Sequence, residues 1–176
     1  IWGDDERFVK TYWSLFSRQV YATFDWGIRD ADGYYFILGR TDDVINVAGH
    51  RLGTREIEES ISSYPNVAEV AVVGVKDALK GQVAVAFVIP KQSDSLDDRD
   101  VAHSEKEAIM ALVDSQIGNF GRPANVWFVS QLPKTRSGKM LRRTIQAICE
   151  GRDPGDLTTL DDPAALQQIR QAIEAG

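Results

Sequence analysis

The hydrophobic positions along the chain fall into two kinds of run. Residues 67–75 and 82–89 are almost continuously apolar and rich in valine, and residues 125–130 form a shorter run. Unbroken apolar runs of this length with β-branched residues predict buried strands. Elsewhere the apolar positions recur at helical spacing. Ile57, Ile61 and Tyr64 keep the i, i+4, i+7 pattern, with Thr54 as N-cap, Glu56 and Glu58 at the positive end and Pro65 as terminator. Ile109, Met110, Leu112, Val113 and Ile117 make a second stripe, opened by a Ser104/Glu107 capping box and closed by Gly118. A third helix is predicted over residues 137–150, on Met140, Leu141, Ile145 and Ile148. A last one follows Asp162-Pro163, on Leu166, Ile169 and Ile173.

Near the start, Asp32-Gly33 precedes the apolar residues 34–38 and predicts a hairpin turn. Residues 1–24 carry Trp2, Phe8, Tyr12, Trp13, Phe16, Tyr21 and Phe24 with neither alternation nor a helical stripe. They read either as a piece that packs on something larger or as a small core of its own. Residues 91–103, with Asp94, Asp97, Asp98 and Asp100, predict a surface loop, and residues 151–162, with Pro154 and Gly155, a tail. The order hairpin, helix, strand, strand, helix, strand, helix predicts an α+β fold: a small mixed or antiparallel sheet flanked by helices and preceded by the hairpin segment.

Composition narrows the function classes. The chain has 176 residues, 43% apolar and 26% charged, which suits one domain with its own core. A net charge of −6 and an isoelectric point near 4.9 argue against wholesale nucleic-acid binding. Cys149 is the one cysteine, so no internal disulfide forms, which fits a reducing cytoplasm. No run reaches the roughly 18 apolar residues of a membrane span. The first residues carry no basic-then-apolar signal pattern. Neither His50 nor His103 has partners at metal-ligand spacing.

Two stretches concentrate chemistry. The first, residues 38–58, reads LGRTDDVINVAGHRLGTREIE. Its Arg-Thr-Asp-Asp turn and glycines make it either a plain loop or a hinge that meets a ligand. The second is LPKTRSGK at residues 132–139, followed by Arg142 and Arg143; Lys134, Arg136, Lys139, Arg142 and Arg143 place five cations within ten residues. By itself this is a solvated basic helix start or a polyanion-binding patch.

Together the two motifs closely resemble signatures of the adenylate-forming enzymes. The resemblance is to AMP-forming acyl-CoA synthetases of the acetyl-CoA and propionyl-CoA branch, most of all the bacterial propionyl-CoA enzymes, and it covers nearly the whole chain. It implies the small C-terminal domain of that fold over residues 44–150, a hinge at residues 42–43, the end of a large N-terminal domain in residues 1–41, and a tail with a helix in residues 151–176. Most of the N-terminal domain, with the acyl pocket, is then outside this chain. The implied reaction joins propionate, or another short-chain carboxylate, to ATP, and coenzyme A then displaces AMP, with Mg2+ accompanying the nucleotide.

The resemblance assigns roles residue by residue. Lys139 matches the lysine that offsets charge on the α-phosphate during adenylation, a task for a positioned ammonium rather than a proton carrier. It is also the residue at which the family is acylated and switched off, which implies an acyltransferase and a deacylase as partners. Asp25 matches the carboxylate that holds the ribose hydroxyls, and Arg40 and Arg51 match nucleotide-side arginines. For both arginines a surface ion pair with a nearby aspartate stays open. Asp42 matches the hinge residue, and Ala48 and Gly49 line the CoA thiol path. Two departures stand out. Ala48 replaces a serine, and Asp114 replaces an arginine that contacts CoA, so CoA is held differently here or by the rest of the protein. A metal site near Ser62, Tyr64 and Val67 is left open, because Tyr64 replaces a histidine. The rival readings are an acetyl-CoA synthetase or another adenylate-forming ligase, and a non-enzymatic α+β module that binds polyanions through residues 134–143.

Overall fold

The computed structural model describes residues 2–16, 19–92 and 98–175. The chain divides into two compact units, Ile1–Asp43 and Val44–Gly176.

The first unit opens with a helix, α1 (Asp5–Tyr12), that the sequence pattern did not predict. Asp4 caps it by accepting from the Arg7 amide at 3.0 Å, and Asp5 and Glu6 occupy its first turn. The helix buries no residue, which is why no apolar stripe announces it. Part of the aromatic-rich segment forms a cluster of its own. Tyr12 and Tyr21 stack with ring centroids 5.1 Å apart, and Phe8, Trp13 and Phe24 pack around them. The predicted hairpin follows as β1 (Asp25–Arg29) and β2 (Tyr35–Arg40), antiparallel, with the Asp30 carboxylate accepting the Tyr34 amide at 2.8 Å. Ile28, Tyr35, Phe36 and Ile37 are all exposed. A single 3-10 turn, Thr41–Asp43, ends the unit.

The second unit is a three-layer α+β domain. Its elements are β3 (Val44–Val47), β4 (His50–Gly53), α2 (Thr54–Ser62), β5 (Val67–Asp77), β6 (Gly81–Pro90), α3 (Arg99–Gln116), β7 (Asn125–Phe128), α4 (Arg142–Cys149) and α5 (Ala164–Ala175). The sheet runs β4-β3-β6-β5. Strand β6 pairs along its length with antiparallel β5, and elsewhere with β3 at Gly81 and with parallel β7 over residues 85–88. The near-continuous apolar runs follow from burial on both faces. Val70, Val72, Ala84, Ala86 and Val88 point to one layer with Ile57 and Ile61 of α2 and Ile109 and Val113 of α3. Ala71, Val73, Val85 and Phe87 point to the other with Ile145 and Ile148 of α4 and Leu166 and Ile169 of α5. The segment read as a tail thus contributes Leu160, Leu166 and Ile169 to this second layer.

Three helix starts and the environment of one carboxylate depart from the sequence pattern. Helix α2 is capped by the Gly53 backbone without a side chain, and Thr54 is buried as its first residue. Glu58 is not a solvated first-turn carboxylate but a buried one. Helix α3 begins at Arg99, because Asp98 accepts the Asp100 amide at 2.9 Å and starts the helix a turn before Ser104. Glu107 instead pairs with Arg122 at 3.1 Å. Helix α4 begins at Arg142 rather than 137, because residues 134–140 fold back on themselves. Of the predicted polar loop, residues 93–97, with Asp94 and Asp97, lie outside the described residues.

Candidate functional site

The segment between β7 and α4 is pinned at its entry by Leu132 and Pro133, both buried. It then closes into a tight loop. Lys134 bridges Met140, the Thr135 amide donates to the Lys139 carbonyl at 2.8 Å, and the Gly138 amide donates to the Thr135 carbonyl at 2.8 Å. Gly138 takes φ +81°, the left-handed conformation that the reversal needs. The Thr135 hydroxyl oxygen accepts the Lys139 amide at 3.0 Å and lies 2.9 Å from the Ser137 hydroxyl. Thr135 therefore ties the loop to itself. Residues 159–161 strap it from outside: Thr135 bridges Leu160, and the Asp161 amide donates to the Lys134 carbonyl at 2.9 Å. Residues 134–140 are thus a hydrogen-bonded turn rather than the start of a helix. The Lys139 side chain stands exposed on it, with no hydrogen bond or ion pair among the described residues.

Both flanks of this loop are ion-paired. Lys134 meets Glu69 of β5 at 2.7 Å. Arg142 meets Glu58 of α2 with both prongs, Nε to Oε1 at 3.0 Å and Nη2 to Oε2 at 2.8 Å. Glu58 Oε1 also accepts the Val72 amide at 2.9 Å. That amide lies on the free edge of β5. Further along the same edge, Gln146 donates to the Gly74 carbonyl at 2.7 Å and Glu150 accepts the Lys76 amide at 3.2 Å. Side chains of α2 and α4 therefore close an edge that would otherwise invite another strand. Two of the five clustered cations are neutralised in this way, which breaks up the basic patch that a polyanion binder would present. The sequence reading missed both the Glu58–Arg142 pair and the closure of the loop by Thr135. One signal was available: a charged residue three positions before Ile61, on the apolar face of its helix.

The β3–β4 hairpin turns at Ala48 (φ +51°) and Gly49 (φ +89°), the paired left-handed residues of a type I′ turn. Asn46 holds the turn by accepting the Gly49 amide at 3.1 Å, and Ala48 donates its amide to the Lys80 carbonyl at 2.8 Å. Ala48, Gly49 and Arg51 are exposed. The His50 ring stacks on Phe120 with centroids 4.5 Å apart. Beside it lies an open cleft of about 330 Å³, lined in part by Val47, Lys80, Phe120 and Arg122. Asp114 is half-buried on α3. The Tyr64 carbonyl accepts the Val67 amide at 3.1 Å, and the Tyr64 hydroxyl is raised above its ordinary pKa by burial and by Glu105.

In the first unit, Asp25 and Arg40 face each other as register partners on β1 and β2. Arg40 Nη1 lies 3.8 Å from Asp25 Oδ1 and 3.4 Å from the Thr23 carbonyl, and its guanidinium sits 6.0 Å from the centre of the Phe24 ring. Asp42 falls in the closing 3-10 turn; its side chain lies outside the described residues.

Residues 56–139 match the family of the AMP-binding enzyme C-terminal domain. Over 174 residues, the chain is 91% identical to propionate–CoA ligase of Escherichia coli, and 90% identical to that of Salmonella typhimurium. The second unit therefore carries an AMP-binding enzyme C-terminal domain. The chain spans 28% of the length of those two relatives and 99% of its own. Acetyl-coenzyme A synthetase of Pyrobaculum aerophilum is 49% identical over 176 residues, an alignment that takes in 99% of this chain and 25% of that protein. Among solved structures, ATP-bound MatB from Rhodopseudomonas palustris matches with a TM-score of 0.64 at 29% identity, over 84% of this chain and 28% of that one. The amide bond synthetase McbA from Marinactinospora thermotolerans matches with a TM-score of 0.64 over 83% of this chain and 27% of that one. The second unit thus has the fold of an AMP-binding C-terminal domain, and no helix among its described residues is long and apolar enough to cross a membrane.

Proposed function

We propose that this chain is the C-terminal part of an AMP-forming propionate–CoA ligase of the cytoplasm. The whole enzyme converts propionate, ATP and CoA to propionyl-CoA, AMP and pyrophosphate through propionyl-adenylate. The observation that carries this is the 91% identity over 174 residues, which leaves few positions at which a different chemistry could enter. Lys139 supplies the cation for adenylation. Its amine is exposed on a hydrogen-bonded loop, so it is held in place without being neutralised. Asp25 takes the ribose hydroxyls, and Arg40 beside it takes nucleotide oxygens; their contact of 3.8 Å is long enough to yield to a ligand. Arg51 is a further arginine for nucleotide oxygens. Mg2+ arrives with ATP and screens the phosphate charge; none of this chain's residues is assigned to it.

The hinge lies at residues 42–43, where the chain passes from one unit to the other. After adenylation the small domain turns there, Lys139 withdraws, and the exposed Ala48–Gly49 turn lines the path of the CoA thiol. Acylation of Lys139 by an acyltransferase removes its charge and stops adenylation, and a deacylase restores it. The rest of the adenylation domain supplies the acyl pocket.

The test is pyrophosphate exchange by the full-length parent protein with a panel of carboxylates. Exchange strongest with propionate supports the reading. Exchange strongest with acetate favours the acetyl-CoA synthetase alternative, and no exchange with any short-chain acid overturns it.

A further inference from the structure

We propose that Glu58 and Arg142 are positioning residues that set where Lys139 stands during adenylation. The proposal rests on the reading that Lys139 serves that half-reaction. Arg142 is the first residue of α4 and follows Lys139 by three positions. Its guanidinium grips both oxygens of Glu58, a buried residue whose carboxylate is fixed a third time by the Val72 amide. Between Lys139 and Arg142 the chain has little freedom. The Leu141 amide donates to the Pro133 carbonyl at 3.0 Å, Met140 bridges Lys134, and the Lys139 amide and carbonyl both engage Thr135. A shift in the first turn of α4 therefore carries Lys139 with it.

The two flanks of the loop differ. The Lys134–Glu69 pair has side chains 35% and 36% exposed, and such a pair fixes little. The Arg142–Glu58 pair is 29% and 11% exposed and two-pronged. The loop thus has one stiff anchor and one soft one. Stability alone accounts poorly for the stiff one, because a buried ion pair can often be replaced by apolar side chains at no loss. Placement of a cation against phosphate does account for it, since a displacement of about 1 Å costs on the order of a hundredfold in rate.

The test uses the full-length parent enzyme with Glu58→Gln, which keeps the shape, and Arg142→Lys, which keeps a cation but not the fork. Each is made in the wild-type and in a Lys139→Ala background. Pyrophosphate exchange, thioester formation from supplied acyl-adenylate and Tm are measured together. The expected result is a loss of exchange of roughly tenfold to a hundredfold. Thioester formation stays within about twofold, and neither change costs anything further once Lys139 is gone. Equal loss of both half-reactions, or an undiminished loss in the Lys139→Ala background, assigns the pair a purely structural role and overturns the proposal. Should Glu58→Gln fail to fold, Arg142→Lys carries the test. If Lys139→Ala itself retains exchange, the reading of Lys139 fails first, and the pair is left with nothing to position.

Discussion

Cys149 lies half-buried in the second core layer, and burial pushes its thiol from 9.0 up to about 11. The thiol therefore stays protonated at neutral pH and packs against that layer. Because the native state holds its proton more tightly than the unfolded chain, stability is complete below about 9 and falls as pH rises through about 11. Alkylation at pH 8 is expected to be slow in the folded domain and fast in denaturant; equal rates would contradict the burial. A second prediction concerns Ala48, whose left-handed backbone strains any side chain. Ala48→Gly relieves that strain and is expected to stabilise the second unit by roughly 0.5–1 kcal/mol, less the entropy of an added glycine in the unfolded chain. Thermal unfolding checks the sign. At this scale the motif residues were legible because resemblance singled them out. The Arg142–Glu58 pair was not, since it joins residues 84 positions apart. The Asp25–Arg40 facing pair was partly legible, because a turn at Gly33 puts the two at the open end of one hairpin.

Strands and the central helices were readable because they bury whole faces. Runs 67–75 and 82–89 became β5 and β6, paired almost end to end, and the Ile57/Ile61 and Ile109/Val113 stripes became buried helix faces. What escaped was local closure. Helix α1 buries nothing, and β3 and β4 are only four residues each, too short for periodicity to separate from loop. The start of α4 was misplaced because Thr135 and Gly138 fold residues 134–140 into a loop that helical spacing cannot register. Loop closure yields a prediction of its own. Thr135→Val removes the hydroxyl that accepts the Lys139 amide and leaves that amide unpaired. Exchange should fall several-fold while stability drops by about the worth of one hydrogen bond, roughly 1 kcal/mol, read as a lowered Tm. Unchanged exchange with a lowered Tm would separate loop order from catalysis.

The two units differ in what they can do alone. Among the described residues, Ala22 is the one buried apolar residue of the first unit, whereas the second has two closed core layers. A polypeptide of residues 44–176 is expected to unfold in a single cooperative transition; residues 1–43 are not, and circular dichroism on heating tests both. In the proposed whole enzyme, the junction at residues 42–43 must absorb the rotation between half-reactions. Asp42→Pro fixes φ there and should impair thioester formation more than adenylation. The domain's placement of one exposed lysine on an ordered loop is the claim on which the enzyme reading turns. The most direct measurement compares the two half-reactions of the full-length parent carrying Lys139→Ala. The account predicts that pyrophosphate exchange falls by on the order of a hundredfold to a thousandfold while thioester formation from supplied acyl-adenylate is unchanged. Retained exchange, or equal loss of both, would contradict it.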